Sequence, residues 1–207
     1  MNAQRSLHVF VLVAALIGVS GCAASPPSDP AADAAPTTAS GEVAPTEPTD
    51  MSFASGASLH PDTTITMGDA LGSDPDWKEV PSEAPGRWSY ERVDDTCAAA
   101  FRKGPLGDAG TMTDREASDA VIAATTGWDP ASLEPLLNDG AFPRYEDPDA
   151  VVDHRQFTYS VNDAGYLIAV RAFASADYSV IVTVECDSGN LEEVARDVLS
   201  KTAISIE

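Results

Sequence analysis

The chain has 207 residues, 33 of them acidic against 12 lysines and arginines, for a formal net charge of −21. That balance argues against nucleic acid and anionic lipid surfaces as partners, because each phosphate contact would need a cation the chain lacks. After Arg5 the first basic residue is Lys78, so the long N-terminal stretch between them is neutral or acidic.

Met1 to His8 is short and polar, and Val9 to Val19 is an apolar run of the length of a signal-peptide core. The run is too short for a membrane span, which needs about 20 residues. It closes on Val19-Ser20-Gly21-Cys22, which resembles the lipobox of bacterial lipoproteins. The resemblance implies a signal peptide over residues 1–21 and a diacylglyceryl thioether on Cys22. Two acyl chains, at ~0.8 kcal/mol per buried methylene, would then hold the protein stably on the extracytoplasmic face of a membrane.

Residues 22–68 are expected to form a lipid-anchored tether. The part up to residue 50 is made almost wholly of Ala, Pro, Ser, Thr, Asp and Glu without an aromatic residue, so it cannot bury enough apolar surface to offset its ordering entropy. In a polyproline II conformation it would reach about 87 Å, enough to stand a domain well off the bilayer. Residues 51–68 are ambiguous, with Thr63 to Thr66 readable as a short strand, and the folded domain is expected over residues 69–207.

Within that domain, Trp77 to Val80, Arg87 to Val93 and Cys97 to Phe101 read as strands separated by Pro, Gly and Asp. Thr113 and Glu116 form a capping box. Ala117, Ala120, Val121 and Ala124 then fall on one helical face over 114–125, before Gly127. Asp129-Pro130 opens a short helix through Leu137, and Ala141 to Asp149 reads as a loop. Phe157, Tyr159 and Val161, then Tyr166 to Ala174, then Val180, Val182, Val184 and Cys186 give three strands joined by short turns, an antiparallel meander with one buried face. Asn190 and Glu193 cap a helix whose Leu191, Val194, Ala195, Val198 and Leu199 form an apolar stripe, and Ala203 to Ile206 adds a final strand. The class expected is α+β, an antiparallel sheet with helices packed on one face. This order of elements is similar to PsbP-like lipoprotein domains of actinobacterial envelopes.

With Cys22 assigned to lipid, Cys97 and Cys186 remain as an even pair in an exported domain and are expected to form a structural disulfide. The chemistry-bearing residues are sparse. Glu146, Asp147, Asp149, Asp153 and His154 are the one cluster of potential ligands, with Asp147, Asp149 and Asp153 as weak Ca²⁺ candidates in a loop without EF-hand spacing. His60 stands apart. There is no G-x-S-x-G, H-E-x-x-H or Ser-x-x-Lys motif, and Lys103 to Gly107 lacks the helix start of a phosphate cradle. No cofactor is expected. Trp77, Trp88, Tyr90, Trp128, Phe142 and Tyr145 are divided between core and a possible ligand groove. The function expected is a non-enzymatic envelope module that binds a protein, lipid or glycan; the alternative is an enzyme with an acid pair in the 141–150 loop.

Overall fold

The computed structural model describes residues 50–207 other than Asp95, Asp108, Pro148, Ser188 and Gly189. The signal peptide, Cys22 and the tether up to residue 49 lie outside the described residues.

The fold begins earlier than residue 69. Met51 is buried, its N–H donating to the Val151 carbonyl, and it is followed by the single helical turn α1 (Phe53–Gly56). Strand β1 (Ile65–Asp69) then pairs antiparallel with the last strand, β9 (Thr202–Ile206). Only a distant partner makes β1 a strand, which is why its Thr-rich, turn-flanked sequence is ambiguous when read locally.

The main sheet has seven antiparallel strands in the order β2-β3-β4-β8-β7-β6-β5. They are β2 (Trp77–Val80), β3 (Arg87–Arg92), β4 (Cys97–Pro105), β5 (Asn138–Pro143), β6 (Val151–Val161), β7 (Ala164–Phe173) and β8 (Tyr178–Asp187). The meander read from the sequence is β6-β7-β8. Asn162 and Asp163, both at positive φ, make the two-residue turn between β6 and β7, a geometry that suits the twist of a hairpin. Strand β5 replaces the first part of the expected 141–149 loop. Its Asn-Asp-Gly-Ala-Phe-Pro sequence has no alternation, and pairing along β6 holds it extended.

Helix α2 (Asp114–Thr126) carries the full capping box: Thr113 Oγ1 accepts from the Glu116 N–H, and Glu116 Oε2 accepts from the Thr113 N–H at 2.8 Å. It ends at Gly127, whose φ of 72° is the left-handed conformation glycine favours. A short α3 (Pro130–Leu133) follows, with Asp129 as its cap. Helix α4 (Leu191–Ser200) forms as expected, although the Asn190 side chain makes no capping bond.

The α+β class and the antiparallel sheet hold, but the helices divide between the two faces instead of sharing one. Val194, Ala195 and Val198 of α4 pack on Val180, Val182, Val184, Ala99 and Phe101. On the other face Ile122 and Ala123 of α2, with Leu133, pack on Phe157, Ile168, Val170 and Ile181. The face of β8 expected to be wet is therefore partly dry, with Ser179 and Ile181 buried. The sequence of β7 agrees, since Leu167 to Phe173 is buried without a break, as in a strand covered on both sides. Each large side chain so buried contributes roughly 1.5–3 kcal/mol.

Cys97 and Cys186 are directly opposed in the β4–β8 register and form the disulfide. A second tie runs from β7 to the first turn of α2. Arg171, fully buried near the end of β7, donates to Asp114 Oδ2 at 2.9 Å, to the Ser52 carbonyl at 3.0 Å and to the Asp153 carbonyl at 3.1 Å. Its guanidinium lies between the rings of Phe53 and Phe173. Burial pulls the Arg171 pKa down to about 10 and pushes the Asp114 carboxyl up, so desolvation outweighs the attraction within the pair. Such a pair fixes which elements meet more than it adds net stability.

Candidate binding groove

Alternation along β6 divides its side chains between two environments. Arg155, Phe157 and Tyr159 face α2, where Arg155 pairs with Asp119 at 2.6 Å. His154, Gln156, Thr158 and Ser160 face the α4 side. Helix α4 packs mainly on β8 and β7 and also touches β4, β5 and β9, and beside it the face of β6, with neighbouring parts of β5 and β7, is left as an open groove of about 900 Å³.

The floor of this groove is low for a reason. Opposite His154 in the register stands Gly140, and opposite Ser160 stands Gly165. A Cβ on Gly140 would lie 2.5 Å from His154 Nε2, and one on Gly165 would lie 3.1 Å from Leu191, so glycine lets the imidazole and the helix come this close. The wall is the aliphatic stripe Leu191, Ala195 and Leu199 of α4. At the rim Glu192 and Arg196 form an ion pair at 2.8 Å, one turn apart.

Toward β5 the groove reaches His154, which is 1% exposed and tilted against the Phe142 ring at a centroid distance of 4.2 Å. Its Nε2 lies 3.1 Å from Gln156 Oε1, a contact that a proton on Nε2 makes a hydrogen bond and that leaves Nδ1 to accept. Nδ1 is then an acceptor, buried and without a hydrogen-bond partner among the described residues. Burial pulls the pKa of His154 down to about 4, so the ring is neutral at physiological pH. Neutral, donor-matched on one side and screened from water, it suits a site that orients a bound molecule.

The acidic candidates do not converge. Asp147 accepts from the Asp149 N–H at 3.2 Å in a turn, and Glu146 is held by Arg144 and Ser205. Asp153 accepts from the Phe53 N–H at 3.2 Å on the opposite face from His154. Among the described residues no three His, Cys, Asp or Glu side chains are grouped to hold a metal. His60 is exposed beside Asp62. Of the aromatic residues, Trp77, Tyr90 and Phe142 are core, and Trp88 stacks on Phe101 while donating to Asp69 Oδ2 at 2.6 Å. Trp128 is partly exposed against Phe157, and Tyr145 is exposed. None of these six has its ring in the groove lining.

Sequence reading missed the groove and the Arg171–Asp114 tie. The tie had a signal, a lone arginine inside the apolar run of β7, which demands a buried partner. The groove had a weaker one in His154, Gln156, Thr158 and Ser160, four polar residues at every second position.

Fold and site together define an α+β domain with an open, half-apolar groove between a helix and a sheet. No protein family matches the chain, and no curated protein matches it by sequence. Among the solved structures that resemble it, two show how low the similarity is. One is a protein of Bacteroides thetaiotaomicron VPI-5482, 9% identical, with a TM-score of 0.39, matching 67% of this chain and 44% of its own. The chain thus spans under half of that protein. The other is LpqN of Mycobacterium tuberculosis, described as involved in cell envelope biogenesis, 14% identical, with a TM-score of 0.33, matching 69% of this chain and 85% of its own. Among the described residues no helix is long and apolar enough to cross a membrane.

Proposed function

We propose that the protein is an extracytoplasmic lipoprotein, anchored to the cell membrane through Cys22, that works as a non-enzymatic binding module of the cell envelope. The observation that carries the binding reading is the groove beside α4: its volume of about 900 Å³ lies within the range of small-ligand sites, and its lining joins an aliphatic wall to a few placed polar groups. The anchor reading is supported by Val19-Ser20-Gly21-Cys22 following an apolar run. A tether of Pro, Ala and Thr would let an acidic domain work away from an acidic surface.

Two measurements on the chain expressed in a bacterial envelope test these halves. Cys22→Ser should move the protein from the membrane to the soluble fraction with its thermal melt unchanged; continued membrane association of that variant overturns the anchor. A photo-crosslinking residue at Thr158 should give adducts that one at the exposed Val93 does not, and equal yields at both positions overturn the groove as the binding site.

A further inference from the structure

The groove's two sides repeat at nearly the same interval. Gln156, Thr158 and Ser160 project from one face of β6 at every second residue, about 6.6 Å apart. Leu191, Ala195 and Leu199 recur at every fourth residue of α4, about 6 Å apart. From His154 to Ser160 the floor runs about 20 Å. The Thr158 and Ser160 hydroxyls and the Gln156 amide nitrogen have no hydrogen-bond partner among the described residues.

Resting on the reading of this groove as the binding site, we infer that its ligand is an extended segment of another polypeptide, neutral to basic, with apolar side chains at alternate positions. An extended backbone turns its carbonyl and amide groups to one side with the same two-residue period as the floor, so successive peptide groups meet Gln156, Thr158 and Ser160 in step. Its alternate side chains then fall on the stripe of α4. An alkyl chain would strip water from the three floor groups and return no hydrogen bond. A glycan would find no Trp, Tyr or Phe face in the groove lining to stack on. Charge completes the match: Arg196 is already paired with Glu192, and Asp163 lines the groove in a chain of net charge −21, which disfavours an acidic segment.

The test uses the full chain carrying Cys22→Ser, so that no detergent is present, and selects a displayed library of random nonapeptides on it. Thr158→Trp serves as the blocked control and Thr158→Val as the variant that removes one hydroxyl; residue 158 is exposed, and unchanged urea midpoints verify that both fold. Dodecanoate and maltohexaose are titrated in parallel. Peptides with alternating apolar residues and no net negative charge should be enriched on the parent and not on Thr158→Trp, and should bind Thr158→Val about fivefold to tenfold more weakly. Peptides that show no alternation, or that bind Thr158→Val as tightly as the parent, overturn the inference. If dodecanoate or maltohexaose distinguishes parent from Thr158→Trp and no peptide does, the ligand class is wrong and the groove remains the site. If no probe distinguishes them, both readings fall.

Discussion

His154 meets two demands that pull in opposite directions. Its ring is packed on Phe142 and sealed by the closeness of Gly140, which favours the neutral form, while Gln156 and the nearby carboxylate of Asp153 favour the charged one. Burial prevails and holds the pKa at about 4 against about 6.5 in an unfolded chain. Between those values the unfolded chain binds a proton that the folded one refuses. The stability gained from keeping the ring neutral is therefore complete above pH 6.5 and is lost as pH falls toward 4. At pH 4.5 the loss from this one group should be about 2–3 kcal/mol. Carboxylates titrate in the same range, so the quantity to compare is the change in urea unfolding free energy between pH 7 and pH 4.5 in the parent and in His154→Gln. The change should be smaller in the variant by about that amount; equal pH dependence in the two would mean that the imidazole is not sealed.

Helix α1 depends on the elements around it. Four residues are far below the length at which a helix is stable alone. It is held by Asp153 at its first turn, by Arg171 on the Ser52 carbonyl, and by the bare Cα of Gly56 lying on the buried pair. A Cβ at position 56 would land on Asp114 Oδ2 and Arg171 Nη2, neither free to move. Gly56→Ala should cost about 1–3 kcal/mol, the range of overpacked sites. Hydrogen exchange should show the loosening in residues 51–59 while β6 to β8 stay protected, and unchanged protection of α1 would mean that the contact is not tight. The same element shows where reading the sequence stops. The helices α2 and α4 and the meander were legible, because capping box, stripe and alternation are local signals carried by Thr113, Glu116, Val180, Val182 and Val184. The segments α1, β1 and β5 were not, because each takes its shape from a partner and not from a pattern of its own: α1 from Arg171 and β1 from β9, both far along the chain, and β5 from the next strand, β6. The groove was illegible for the same reason. Gln156, Thr158 and Ser160 look like a solvated strand face until α4, some 30 residues later in the chain, stands beside them.

Across the whole molecule the sheet is two halves that meet at one seam. Strands β2, β3 and β4 come from the first half of the folded chain and β5 to β8 from the second, and the only strand pair joining them in the seven-stranded sheet is β4–β8. Nine paired residues run along that seam, with Cys97 and Cys186 bonded across its first pair. A link spanning 89 residues removes much of the freedom of the unfolded chain, about 4.5 kcal/mol in the chain-entropy account, while adding little to a seam already held by its ladder. Loss of the link should therefore leave the fold in place and lower its stability. The double variant Cys97→Ala, Cys186→Ala should keep the far-ultraviolet spectrum of the parent and lose about 2–4 kcal/mol in urea, and the parent in reductant should behave alike. Charge sets a second condition on this experiment. A net charge of −21 repels itself more in the compact state than in the open one, so raising the salt should raise the urea midpoint of both proteins. Because the disulfide acts on chain freedom and not on charge, the gap between parent and variant should persist at high salt. A gap that closes as salt rises would show that the link serves to hold two repelling halves together.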